Sequence, residues 1–264
     1  MSQSPSLVVV DAGNSHVVFG FYRGSELVRS LRVATSRDRT ADELGALLVP
    51  LMSRFGLTLD GLEGVIVASV VPPINATLAQ LSRDFFGQEA LFIEPGVKTG
   101  MPIRYDNPVE VGADRIVNAV AARERWGAPV VVVDFGTATT FDVVDHDGAY
   151  IGGVIAPGVN TSLEALHMAA AALPHVDVTK PQSAIGTNTV ACIQSGIYWG
   201  YVGLVEGIVR QIRLEHDRPM SVIATGGLAP LFDQGTDIFD SVEDDLTMHG
   251  LVLINRYNRD LATA

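Results

Sequence analysis

The chain has 264 residues, 47% of them hydrophobic and 18% charged, with a formal net charge of −12 and a pI near 4.8. A substantial core is expected and disorder is not, and so acidic a balance argues against nucleic acid or an anionic membrane as a partner. The single Cys192 excludes a disulfide framework and points to a reducing, cytoplasmic setting.

Leu7–Val10 is a short apolar run that passes straight into Asp11-Ala12-Gly13-Asn14-Ser15, and Val17–Tyr22 is a second run. The segment reads as a strand hairpin, and without a basic leader it does not read as a signal peptide. Thr40-Ala41-Asp42-Glu43 is a capping box, followed by Leu44, Leu47, Leu48 and Leu51 at helical spacing and stopped by Gly56. Val65–Val71 reads as a buried strand, Ile74–Phe86 as a helix, Ala90–Ile93 as a strand and Pro95–Pro108 as a loop. From Asp114 to Trp126 the spacing of Ile116, Val117, Val120 and Ala121 predicts a helix.

The pattern then restarts. Val130–Val133 runs into Asp134-Phe135-Gly136-Thr137-Ala138-Thr139-Thr140, and Phe141–Val144 returns. A turn at Asp145–Gly148, a strand through Ile155, a helix start at Thr161-Ser162-Leu163-Glu164, a long helix over Asn188–Glu215 and a strand at Met220–Ala224 follow. The Val190–Val209 stretch is broken by Gln194 and Glu206, so it reads as a buried helix rather than a membrane span. Gly196, Gly200, Gly203 and Gly207 within it each cost about 1 kcal/mol in a helix interior. Close packing against another helix, in this chain or across a dimer, is the expected compensation.

The two Asp-x-Gly turns carry the chemistry. Glycine lets backbone N–H groups approach an anion, hydroxyl and amide side chains add donors, and the Asp can hold a cation or water beside that anion. Other phosphate and nucleophile solutions are missing. Neither Lys98 nor Lys180 follows a glycine as a Walker A loop requires, and no G-x-G-x-x-G opens a helix after a strand. There is no H-E-x-x-H, no paired cysteine and no G-x-S-x-G elbow, so zinc and serine-hydrolase chemistry are not expected.

Val111-Gly112-Ala113-Asp114-Arg115 lies where a loop meets a helix. Asp114 is either a favourable partner of the helix dipole or a carboxylate that accepts a hydroxyl proton, with Arg115 gripping an anionic group. Tyr105, Asp106 and Asn107 are candidate lining residues. Gly152–Gly158 is a turn or a wall where backbone meets ligand, and Gly226-Gly227 suits a base or ribose near a helix start. Alone each sign is weak; with the paired turns they describe phosphoryl transfer.

In order along the chain stand Asp11-x-Gly13-Asn14-Ser15, Ser69-Val70-Val71-Pro72, Tyr105-x-Asn107-Pro108-x-x-Val111-Gly112-Ala113-Asp114-Arg115, Asp134-x-Gly136-Thr137-Ala138-Thr139, Gly152-Gly153-x-Ile155-x-Pro157-Gly158 and Thr225-Gly226-Gly227. From Leu7 to about Tyr257 the chain resembles the type III pantothenate kinases, of the acetate and sugar kinase, heat-shock protein 70 and actin superfamily. The resemblance implies an α/β fold of two duplicated ribonuclease H-like (actin-like ATPase) domains, with mixed sheets flanked by helices. The expected division is 1–125, bearing the first phosphate loop, and 126–264, bearing the cation and ATP motif and a dimer helix.

It also implies a reaction: pantothenate and ATP give 4′-phosphopantothenate, the first step of coenzyme A biosynthesis. Asp11, Ala12, Gly13, Asn14, Ser15, His16, Val17 and Val18 would form the first phosphate loop, with Asp11 organising Mg²⁺. Asp114 would be the general base. Tyr105, Gly112, Ala113, Arg115 and Thr187 would line the pantothenate site, Thr187 across a homodimer or within one subunit. Asp134 would bind K⁺ or NH₄⁺, and Thr137 would contact ATP. Ser15 stands where the family often has Thr, which keeps the hydroxyl. Two rival readings are a non-catalytic regulator that kept the fold, against which Asp11, Asp114 and Asp134 all remain, and an ATPase or phosphatase of the superfamily.

Overall fold

Three successive valines in β1 (Leu7–Ala12) are almost wholly inaccessible, as expected of a strand covered on both faces. In the computed structural model, which describes residues 5–170, 172–216 and 218–259, β1 pairs antiparallel with β2 (His16–Arg23). That strand pairs in turn with β3 (Glu26–Ala34). On its other side β1 runs parallel to β4 (Gly64–Ser69), and β4 to β5 (Ala90–Phe92). Parallel neighbours need a crossover, and the helices supply it. Helix α1 (Ala41–Arg54) starts at the capping box expected at Thr40, whose side chain and that of Glu43 each bond the other's backbone N–H. Helix α2 (Asn75–Phe86) packs against α1 so closely that a Cβ at Gly45 would overlap the Phe85 ring.

The second sheet repeats this wiring. Strand β6 (Val130–Phe135) is antiparallel to β7 (Ala138–Val144), which pairs with β8 (Tyr150–Pro157). Strand β6 is also parallel to β9 (Ser221–Thr225), and β9 to β10 (Ser241–Glu243). The spatial orders are β3-β2-β1-β4-β5 and β8-β7-β6-β9-β10. Two mixed five-stranded sheets with one topology are the duplicated ribonuclease H-like halves of the actin-like ATPase fold. Helix α3 (Ala113–Trp126) precedes β6; α4 (Val159–Ala169) and the long α5 (Thr189–His216) link β8 to β9; the short α6 (Ala229–Asp233) leads to β10. The face of β6, β7 and β9 that carries Val131, Val133, Phe141 and Val222 forms one core with Tyr198, Val205 and Val209 of α5.

Helix α7 (Leu246–Arg259) was not foreseen and from Thr247 on belongs with the first half. Packing divides the chain into one compact unit of residues through Met101, Asp106–Ala121 and those from Thr247 onward, and a second of Pro102–Tyr105 and Ala122–Leu246. A single cut between residues 125 and 126 therefore does not describe the units. The reason is local to α3 and α7: Gly250 brings α7 against the α3 backbone, where a Cβ would lie 2.2 Å from the Val117 carbonyl oxygen. Other expectations shift by a residue or two. Helix α4 begins at Val159, not at Thr161, and Gly158 stands at its N-cap with no side-chain cap. A Cβ at Gly196, Gly200, Gly203 or Gly207 would meet nothing within 4 Å, so no packing among the described residues accounts for these glycines. Among the described residues no helix is long and apolar enough to cross a membrane.

Candidate active site

In the first unit the tight bend after β1 is set by Gly13, whose N–H donates to the His16 carbonyl at 3.0 Å. Asn14, Ser15 and His16 are exposed on this turn, whereas Ala12 and Val17 are buried and anchor it; Val18 is half-buried in β2. The second unit builds its counterpart with one residue fewer. Gly136 donates to the Ala138 carbonyl at 3.0 Å. Gly13–His16 separates the last paired residues Ala12 and Val17, against Gly136–Ala138 between Phe135 and Thr139. Thr137 is exposed at the tip of this shorter turn.

Asp11 and Asp114 lie within the same unit, and the charge on Asp114 bears on Asp11. Burial is the main cause that pushes the Asp11 carboxyl up from 3.8 to about 7; the nearby Asp114 carboxylate adds to it, and Arg32 opposes both. Asp114 is also raised, again chiefly by burial. The first turn of α3 partly offsets this, because the Arg115 N–H donates to Asp114 Oδ1 at 2.8 Å and the Arg115 charge is near. Gly112 makes the arrangement possible, since a Cβ there would lie 2.6 Å from Asp114 Oδ1. Ala113 is buried and the Arg115 side chain is 8% exposed, so its charge is held within protein. A buried carboxylate whose charge is disfavoured is suited to a hard divalent cation, which commonly takes one or two carboxylates plus phosphate oxygens. The residues fit Mg²⁺ at Asp11.

Asp134 occupies the equivalent end of β6, flanked in register by Thr140 on β7 and Thr225 on β9. Gly226, with φ +91°, crowds it: a Cβ there would lie 2.7 Å from both Asp134 Oδ1 and the Phe135 carbonyl oxygen. Asp134 Oδ1 and the Phe135 carbonyl oxygen thus both lie close against Gly226, and oxygens of these two kinds are the donors that hard cations take. Among the described residues no three His, Cys, Asp or Glu side chains are grouped so as to hold a metal ion by themselves. Any cation would complete its shell with backbone, water and ligand oxygens. Contact within the chain thus already requires glycine at Gly226, whereas a Cβ at Gly227 would meet nothing within 4 Å.

Tyr105 and Thr187 belong to the second unit. Tyr105 is half-buried, 6.2 Å from the Tyr150 ring centroid and close to Gly152, where a Cβ would sit 3.5 Å from it. Tyr150 is wholly buried, and its hydroxyl donates to Asp142 Oδ1 at 2.8 Å. Thr187 is exposed just ahead of α5, where Asn188 Oδ1 caps the Ala191 N–H at 3.0 Å. A cavity of about 560 Å³ runs along α4 between Leu163 and Val178 and does not include Asp134 or Thr137. Two side chains were not singled out from the sequence: Thr35, which bonds the first turn, and Asp142, which accepts from Thr140 and Tyr150; Thr139, quoted in the second motif, closes the second turn. The Thr139 hydroxyl is buried with no hydrogen-bond partner. Only Asp142 carried a readable sign, an acid within an apolar strand.

The family model of type III pantothenate kinase matches residues 7–211. A type III pantothenate kinase of Cereibacter sphaeroides is 60% identical over 256 residues, 97% of this chain and 99% of the relative. Another, of Paracoccus denitrificans, is 56% identical over 97% of this chain and 98% of its own length. Among solved structures, a Campylobacter jejuni protein described as a Baf family transcriptional activator superposes with a TM-score of 0.60. It covers 96% of this chain and 99% of its own, and at 17% identity it speaks to the fold alone. Matching turns, a Gly-Ala-Asp-Arg helix start and relatives this similar over nearly the whole length lead to one conclusion: the chain belongs to the type III pantothenate kinase family.

Proposed function

We propose that the chain transfers the γ-phosphoryl group of ATP to the terminal hydroxyl of pantothenate, giving 4′-phosphopantothenate in the first step of coenzyme A biosynthesis. The observation that carries this reading is the 60% identity to a kinase of that name over 97% of the chain.

Each residue then has a task. The turn at Gly13–His16 and the turn at Thr137 present backbone N–H groups and hydroxyls to the phosphates. Asp114 accepts the proton of the attacking hydroxyl; its raised affinity for protons suits it to that role. Arg115 holds the pantothenate carboxylate, and Tyr105, Gly112, Ala113 and Thr187 line the acceptor site. Asp11 holds Mg²⁺ and Asp134 holds K⁺ or NH₄⁺; bound there, the cations offset charge on the phosphates as the transfer proceeds. With two lysines in 264 residues, a monovalent cation is a fitting substitute for a phosphate-binding ammonium.

A homodimer and a cytoplasmic location complete the proposal. Ile155, Met168 and Ile185 are 64%, 72% and 82% exposed, apolar side chains that a second copy would cover. The open flank of the α5 glycines gives a second copy room for close approach. Mass measured in solution by light scattering tests this, and a monomer would overturn it.

The decisive experiment supplies purified protein with ATP, Mg²⁺ and K⁺, with and without pantothenate, and identifies the product by mass. Pantothenate-dependent ADP with 4′-phosphopantothenate is expected. ADP independent of pantothenate would turn the reading toward a hydrolase, and ATP binding without turnover toward a regulator.

A further inference from the structure

Each of the two glycine turns has one carbonyl tied back by a threonine hydroxyl. In the first unit Thr35, immediately after β3, donates its hydroxyl to the Gly13 carbonyl at 2.6 Å. Its backbone N–H donates to the Ser15 carbonyl at 3.0 Å. In the second unit Thr161, in the first turn of α4, donates its hydroxyl to the Thr137 carbonyl at 2.8 Å. The Gly158 N–H donates to that same oxygen at 3.1 Å. A Cβ at Gly158 would lie 2.2 Å from the Thr137 oxygen, so glycine is what permits the approach.

The two ties occupy equivalent places. Strand β3 corresponds to β8 in the shared sheet order, and each tie comes from the segment that follows that third strand. The local sequences, Val33-Ala34-Thr35 and Gly158-Val159-Asn160-Thr161, do not resemble one another, so the common feature is the bond itself. Helix capping does not explain Thr161, because α4 has no side-chain cap. An anion is repelled by carbonyl oxygens and drawn to N–H groups. A turn carbonyl held by a hydroxyl cannot swing toward the phosphates without losing its bond.

We propose that Thr35 and Thr161 are positioning residues for ATP. By holding the Gly13 and Thr137 carbonyls back, they keep both turns presenting donors to the triphosphate. The inference rests on the assignment of these turns to ATP.

Calorimetric titration of ATP with Mg²⁺ into wild type, T35V, T161V, T35S and T161S tests it, with KM measured for both substrates. Each valine variant is expected to bind ATP about 3- to 10-fold more weakly, the range of one lost hydrogen bond. The serine variants should bind like wild type, and the KM for pantothenate should not move. Valine variants that bind ATP normally, serine variants as weak as valine, or equal rises in both KM values would overturn the proposal. If valine prevents folding, T35A and T161A make the same comparison without crowding the carbonyl. ATP binding that weakens in the valine variants, in a protein that never phosphorylates pantothenate, would support the ties and overturn the acceptor assignment. Wild type that does not bind ATP would overturn both.

Discussion

Asp114 stands in the way of the charge on Asp11. They come from the start of a helix and the end of a strand roughly a hundred positions apart, and the first unit sets them close enough that Asp114 helps to raise the Asp11 carboxyl to about 7. A divalent cation between phosphates and Asp11 would relieve that conflict.

The sign of the pH effect follows. The native protein without metal keeps a proton on Asp11 that the unfolded chain releases near 3.8. Stability of the metal-free protein therefore falls as pH rises from about 4 to about 7, and levels off above. Asp11→Asn should flatten that slope, raise the Tm at pH 8, and weaken Mg²⁺-dependent ATP binding. Thermal melts across this pH range check it; identical slopes in both proteins would remove Asp11 as the cause.

Asp114→Asn retains shape and removes the proton acceptor. Its kcat should fall by about two to four decades while ATP affinity holds. Turnover near wild type, measured with saturating pantothenate, would exclude Asp114 as the base.

Gly226→Ala places a methyl 2.7 Å from Asp134 Oδ1 on a backbone at φ +91°. A loss of about 1–3 kcal/mol in stability is expected from the strain, together with loss of activation by K⁺. Wild type in a Na⁺-only buffer should be slow, as should Asp134→Asn in K⁺. Rates indifferent to the cation would dismiss the Asp134 site.

Thr40→Ala serves as a contrast far from any chemistry. Its capping box joins only Thr40 and Glu43 at the start of α1, so stability should drop by about 0.5–2 kcal/mol. The kcat should stay at the wild-type value. Urea denaturation beside a standard assay would show whether the two effects separate.

How far the sequence could be read depended on burial. Strands β1 and β6 were legible because Val8–Val10 and Val130–Val133 are covered on both faces and so appear as unbroken apolar runs. Strand β3 was not, for it lies at a sheet edge with Arg29, Ser30 and Arg32 exposed and only Leu31 buried. Helix α1 announced itself through a capping box, whereas α4 has a bare N-cap and its threonine is committed elsewhere. The turns could be named from Asp-x-Gly patterns. The hydroxyls that steady them come from separate segments, and only folding reveals that partnership. Gly226 shows the same limit: its neighbour Asp134 is a matter of tertiary contact, invisible in spacing.

Helix α7 has a consequence for the order in which this protein is made. A ribosome delivers Asp11 early and Thr247–Arg259 late, yet both belong to one packing unit. The half that begins first is thus completed last, and a nascent chain halted before Leu246 would hold its first phosphate turn in an unfinished fold. A stop codon there should damage the distant Asp11 region more than the neighbouring Asp134 region.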